Sequence, residues 1–232
     1  MQVLVTDFSG ILAAEEFLPW LREKEGESLQ QRDFTALEGT ACYCDAAAQE
    51  AIVRALPSPL PPLRWIDSGD YHYMSYLLSL QESRPFHLLL LDHHPDTQEA
   101  AFGGMLSCGG WVSTLVRENP LLRSVLSIGP EDCPEDIPAG WMEERRGERL
   151  YISLDKDIMD RPWARTDWTH GTFSLEQLKD LLGRLLTGGM EIAAVDICGG
   201  ISLPKGATPE DLRINLETNI ELYYFITNHL IR

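Results

Sequence analysis

The run Phe86–Leu91 ends in four consecutive leucines and passes directly into Asp92-His93-His94-Pro95-Asp96, and it constrains this chain more than any other stretch. A near-continuous apolar segment of that length is the pattern of a parallel strand covered on both faces. Parallel neighbours need crossover connections, mostly helical, and the rest of the sequence alternates accordingly. Further strands are expected at residues 3–6, 63–66, 124–128, 150–154 and 192–195. Helices are expected at 46–55 behind an Asp45 cap, and at 71–80, 111–117 and 216–230. Another opens with the capping box Ser174-Leu-Glu-Gln177, runs to Leu186 and stops at Gly188-Gly189. The expected fold is α/β: a three-layer αβα sandwich with a mainly parallel sheet, built by residues 1–232 as a single domain. The proline-rich stretch 57–62 is too short to part domains and reads as a stiff helix-to-strand connection, while 129–138 reads as an acidic surface loop.

Composition narrows the function classes. Thirty-six acidic residues against 19 basic ones give a net charge of −17. A surface of that sign repels phosphate backbones, which argues against nucleic acid and is compatible with a cationic substrate. No apolar run reaches the roughly 18 residues that a membrane span needs, so no membrane partner is expected. The start MQVLVTDFSG lacks a basic segment followed by a long apolar one and reads as a first strand. The five cysteines have no framework spacing, and Cys42 and Cys44 form C-Y-C, so free thiols and the cytoplasm are expected.

In open parallel sheets, ligands bind beyond the carboxyl ends of the strands. Three expected strands end in ionisable residues: Asp67-Ser-Gly-Asp70-Tyr-His72, Asp92-His-His94-Pro-Asp96 and Asp155-Lys-Asp157. Carboxylates at the end of a buried strand carry a desolvation cost unless a cation pairs with them. Lys156 and Arg64 are too few for Asp92, Asp96, Asp155 and Asp157, whereas divalent metal would serve. Asp92, His94 and Asp96 are spaced to point to one side of an extended segment, and Asp155 and Asp157 repeat the spacing. A carboxylate-rich set with imidazole and no thiolate favours Mn²⁺, with Zn²⁺ or Fe²⁺ as alternatives. So many ligands exceed the need of one catalytic ion and suit two ions sharing carboxylates.

These motifs, in this chain order, resemble those of the arginase/agmatinase (ureohydrolase) family. The resemblance covers roughly residues 63–200, with one extra residue between Asp70 and His72. It implies a binuclear manganese site, with two ions per chain. One ion would be held by His72, Asp92, Asp96 and Asp155, the other by Asp92, His94, Asp155 and Asp157. It further implies hydrolysis of a guanidinium C–N bond, with urea released from an arginine-like group that is free or within a peptide. Asp96 would orient the attacking water and pass a proton to the leaving amine. Cys108 lies near the family's proton-shuttle histidine. Asp196 occupies the place of an acid that binds the substrate guanidinium. His93 is expected to face away from the site. Trp163, Asp167, Trp168 and His170 are candidates for the pocket mouth, with His170 contacting substrate, and the segment 7–10 could reach the same rim.

Two other readings compete. A deacetylase-like amidohydrolase on the same fold would use one zinc held by Asp, His and Asp. The full second D-x-D and the lack of a His-His pair before the aspartate cluster favour two metals. A non-catalytic binding module would not be expected to keep six ligands. The oligomeric state is left open.

Overall fold

The computed structural model describes residues 1–99, 104–131 and 133–230. Its frame is a seven-stranded sheet in which every pairing is parallel. The strands are β1 (Val3–Asp7), β2 (Leu29–Asp33), β4 (Leu63–Trp65), β5 (Phe86–Leu91), β7 (Leu122–Ile128), β8 (Arg149–Asp155) and β9 (Glu191–Cys198), and they lie side by side in the order β2-β1-β4-β9-β8-β5-β7. Two short strands, β3 (Tyr43–Cys44) and β6 (Leu106–Ser107), form a separate antiparallel ribbon.

The period-two geometry of a strand sorts side chains onto two cores. Leu89 and Leu91 of β5 face one core together with Ile152 and Leu154 of β8. Helices α1 (Ile11–Ala14), α2 (Phe17–Glu25), α6 (Leu175–Thr187) and α7 (Pro209–Leu230) cover that face. Leu88 and Leu90 face the other core, under α3 (Ala46–Ala55), α4 (Met74–Ser79) and α5 (Trp111–Glu118). This is the expected three-layer αβα arrangement.

Local signals act where they were read. The Asp45 side chain accepts from the Ala48 amide at the start of α3. Ser174 and Gln177 form both bonds of the capping box. Other expectations are corrected. Residues 71–80 are not one helix: a 3-10 turn over Gly69–Tyr71 is followed by the shorter α4. Helix α7 begins at Pro209, two turns earlier than the apolar pattern indicated. Strand β2 and helices α1 and α2 carry no corresponding expectation. Left-handed conformations at Gly10 and Glu16 precede these two helices and divide the segment into short pieces.

Candidate metal centre

The candidate residues gather at the carboxyl ends of β4, β5 and β8. The connection leaving β4 tightens into the Gly69–Tyr71 turn, which delivers His72. Strand β5 delivers Asp92 as it leaves the sheet. The segment 92–96 is bent, not extended, and Asp96 takes φ +49°, so these side chains come together through a geometry other than the alternating one expected. Strand β8 ends on Asp155, whose carboxylate accepts from the Asp157 amide at 3.0 Å and so folds the D-x-D into a turn.

Two ligand trios result. His72, Asp92 and Asp155 bring donor atoms together, and so do Asp92, His94 and Asp157. Asp92 belongs to both. The His72 Nδ1 stands 3.1 Å from Asp92 Oδ2, 3.0 Å from Asp96 Oδ2 and 3.5 Å from Asp155 Oδ2. The His94 Nδ1 stands 2.8 Å from Asp157 Oδ2 and 3.6 Å from Asp92 Oδ1. Asp155 joins only the first trio, and Asp96 stands beside it at His72, so each trio is one member short of the quartet expected for it.

Neighbouring side chains fix these groups. The far nitrogen of His72 meets Ser153 Oγ at 2.9 Å, and Ser153 meets Ser75 Oγ at 2.9 Å. The far nitrogen of His94 meets Thr169 Oγ1 at 2.8 Å. The Trp111 indole donates to Asp96 Oδ2 at 2.6 Å. Such partners hold imidazole and carboxylate ligands in one orientation. None was singled out from the sequence, although Ser153 was legible, lying two residues before Asp155 and therefore on the same face of β8.

The electrostatics are strained without a cation. Asp92, Asp96, Asp155 and Asp157 are all buried. Burial and the nearby Asp92 carboxylate push Asp157 up to about 6. Burial, with Asp157 and Asp92 alongside, holds Asp155 well above the usual carboxylate range. Hydrogen bonds to Asp157 and Asp92 push His94 up to about 10. Burial opposes charge on His72, yet its bonds to Asp92 and Asp96 raise it. The two expected cations point elsewhere: Lys156 donates to Asn219 Oδ1 at 3.0 Å, and Arg64 faces Asp196 at 3.4 Å. Among the described residues, no lysine or arginine reaches the four carboxylates. Crowded carboxylates with two imidazoles, open to a cavity, are a donor set that divalent metal fits.

The cavity has a volume of about 250 Å³ and is walled by the ligands together with Tyr43, Gln98, Cys108 and Trp168. Trp168 lies over Gly69, where a Cβ would meet its ring at 2.8 Å, and its ring edge approaches His94. Cys108 lies on the wall as expected, with burial and the neighbouring Cys42 holding its thiol far above the ordinary range.

Other expectations fail. Asp196 is fully buried within β9, and it accepts from Tyr151 Oη at 2.5 Å while facing Arg64. It is consumed by an internal ion pair and does not wall the cavity. His170 donates from Nδ1 to the Met159 carbonyl at 3.0 Å and is likewise off the wall. Trp163 lies against α7, where its carbonyl accepts from Thr218. Asp167 accepts from the Ser202 amide. The segment 7–10 is held in a turn by Asp67, which accepts from the amides of Phe8 and Ser9 at 2.8 Å each. His93, by contrast, faces away from the site as expected: it lines a separate cleft, while its amide donates to Asp157 at 3.0 Å.

With this geometry in hand, the relatives are informative. The Helicobacter pylori arginase superposes with TM-score 0.63 at 14% identity, covering 99% of both chains. The chain has the arginase fold. A formimidoylglutamase from Bacillus subtilis shares it, with TM-score 0.61 at 14% identity over 97% of this chain and 85% of that one. In sequence, an uncharacterized protein of Thermotoga maritima is 27% identical over 205 residues, or 84% of this chain and 78% of that protein. No family model matches the chain. No helix among the described residues is long and apolar enough to cross a membrane.

Proposed function

We propose that the chain is a cytoplasmic hydrolase that holds two manganese ions and cleaves a guanidinium C–N bond, releasing urea from an arginine-like group, free or within a peptide. One observation carries the reading: Asp92 joins two overlapping ligand trios whose buried carboxylates meet no lysine or arginine among the described residues. The neighbours that share the fold support hydrolysis, and the acidic surface supports a guanidino partner in place of nucleic acid. His72, Asp92 and Asp155 would hold one ion, with Asp96 beside them, and Asp92, His94 and Asp157 the other. Bound there, the metals would lower the pKa of the attacking water and stabilise the tetrahedral transition state.

The chain's own groups do the rest. Trp111 and His72 engage Asp96 Oδ2. That leaves Oδ1 to take a proton and hand it to the leaving amine. The Cys108 thiol, held protonated by burial, serves on the wall as a hydrogen-bond donor and not as a base. Trp168 and Tyr43 offer aromatic faces to a cationic head and its alkyl stem.

A second reading has two observations in its favour. Asp196, expected to clamp the guanidinium, is locked to Arg64, and Asp92, His94 and Asp157 alone form the Asp/His/Asp set of a single-metal deacetylase-like amidohydrolase. Metal analysis of manganese-loaded protein, paired with urea release from arginine, agmatine and arginine-containing peptides, separates the two. Two ions and urea support the first reading. One zinc ion and hydrolysis of an acetyl-lysine probe support the second and overturn the first.

A further inference from the structure

Cys42 and Cys108 face each other at the end of the β3–β6 ribbon, and both line the cavity of the carboxylate cluster. The ribbon pairs Tyr43 with Ser107 and Cys44 with Leu106. Just beyond the ribbon, Cys42 turns to φ +57° and gives its amide to the Asp70 carbonyl, while the Cys108 amide donates to the Cys42 carbonyl at 2.9 Å and so ties the two residues together. A single backbone N–H···O bond of this length leaves the two Cα atoms roughly 5–6 Å apart. That lies inside the range of about 4.4–6.8 Å that a disulfide bridges. Neither residue is in a disulfide, and Cys42 is partly exposed while Cys108 is buried behind it. Cys44 differs: it is fully buried and does not line the cavity.

We propose that Cys42 and Cys108 form a dithiol modification site on the cavity wall, which small disulfides such as oxidised glutathione convert to a Cys42–Cys108 disulfide. The proposal stands apart from the hydrolase reading, since it needs neither metal nor turnover. The Cys42 thiol, the more accessible one, gives its proton to solvent and attacks one sulfur of the small disulfide. The small S–S bond breaks, one small thiol leaves, and a mixed disulfide forms on Cys42. Cys108 then attacks the Cys42 sulfur as its proton passes to the departing sulfur, and the second small molecule leaves as a thiol. Two protein thiols are oxidised and one small disulfide is reduced. The bridge lies three residues before Trp111, whose indole holds Asp96.

The test treats the reduced full-length protein with oxidised glutathione, alkylates the remaining thiols, and maps the digest by mass spectrometry. Fragmentation between Cys42 and Cys44 assigns the linked residue. The expected result is a Cys42–Cys108 link, lost on reduction, with Cys44 and Cys198 left as protected thiols. In Cys108→Ser, glutathione should instead remain on Cys42, because the second displacement is lost. Recovery of both thiols in the alkylated form from the wild type would overturn the proposal. So would a stable glutathione adduct on wild-type Cys42, or a link through Cys44, Cys133 or Cys198.

Discussion

At the scale of single residues, Asp92 and Asp196 show how the same side chain serves opposite ends. Both are buried, but Asp92 follows the end of β5 among the candidate ligands while Asp196 stays inside β9 opposite Arg64. Asp196→Ala should therefore cost stability and not metal. It strands the Arg64 charge in the interior, for an expected loss of about 3–5 kcal/mol in urea unfolding. An unchanged unfolding midpoint with lost substrate affinity would return Asp196 to the role first expected of it. Trp111→Phe keeps the ring and removes the bond to Asp96 Oδ2. Its metal affinity or activity should fall about 10–100-fold, the usual cost of removing a partner that orients a ligand. Equilibrium dialysis with manganese and the urea assay read this, and wild-type values in both would show that the indole does not position Asp96. The six ligand candidates were legible because ionisable residues at strand ends resist explanation by packing. The fate of Asp196 was not, since its partner comes from the register of β4 on β9, which no local pattern encodes.

At the scale of elements, the ends of the strands carry the functional geometry. Gly199 follows β9 with φ +92°, a conformation that suits glycine, and a Cβ there would fall on the Asp155 carboxylate. Gly199→Ala should therefore weaken manganese binding by at least about tenfold, a shift of about 1.4 kcal/mol. A calorimetric titration that matches the wild type would show that Asp155 tolerates displacement. The strongly apolar strands were legible: β5 occupies the residues its leucine run marked, and β8 and β9 extend theirs by a few. Strand β2, Leu-Gln-Gln-Arg-Asp, was not. It is an edge strand with little burial and so carries almost no hydrophobic signal. The β3–β6 ribbon is two residues per strand, too short for any periodicity, yet it supplies the cavity wall that bears Cys42 and Cys108. The first turns of α7 are polar, Pro-Glu-Asp, and were missed for the same reason.

At the scale of the whole molecule, metal, protons and folding are linked. Metal binding requires neutral imidazole and ionised carboxylate, so protons on His94, raised to about 10, and on Asp157, raised to about 6, must leave. Both shifts act in one direction, so apparent manganese affinity should rise with pH. The slope should be at least about tenfold per pH unit near neutrality, where His94 and His72 give up protons, and steeper below about 6, where Asp157 yields another. Titrations in buffers of different ionisation heat would count the released protons, and a flat profile would contradict the assignment. Because metal binds the folded state, saturating manganese should also raise the melting temperature, by an amount that grows with the logarithm of that affinity. The central claim is that two cations hold four crowded carboxylates together. Anomalous diffraction at the manganese absorption edge, from crystals grown with manganese, tests it most directly. Two peaks are expected flanking Asp92, one beside His72 and Asp155 and the other beside His94 and Asp157. A single peak, or no peak with the carboxylates turned apart, would contradict it.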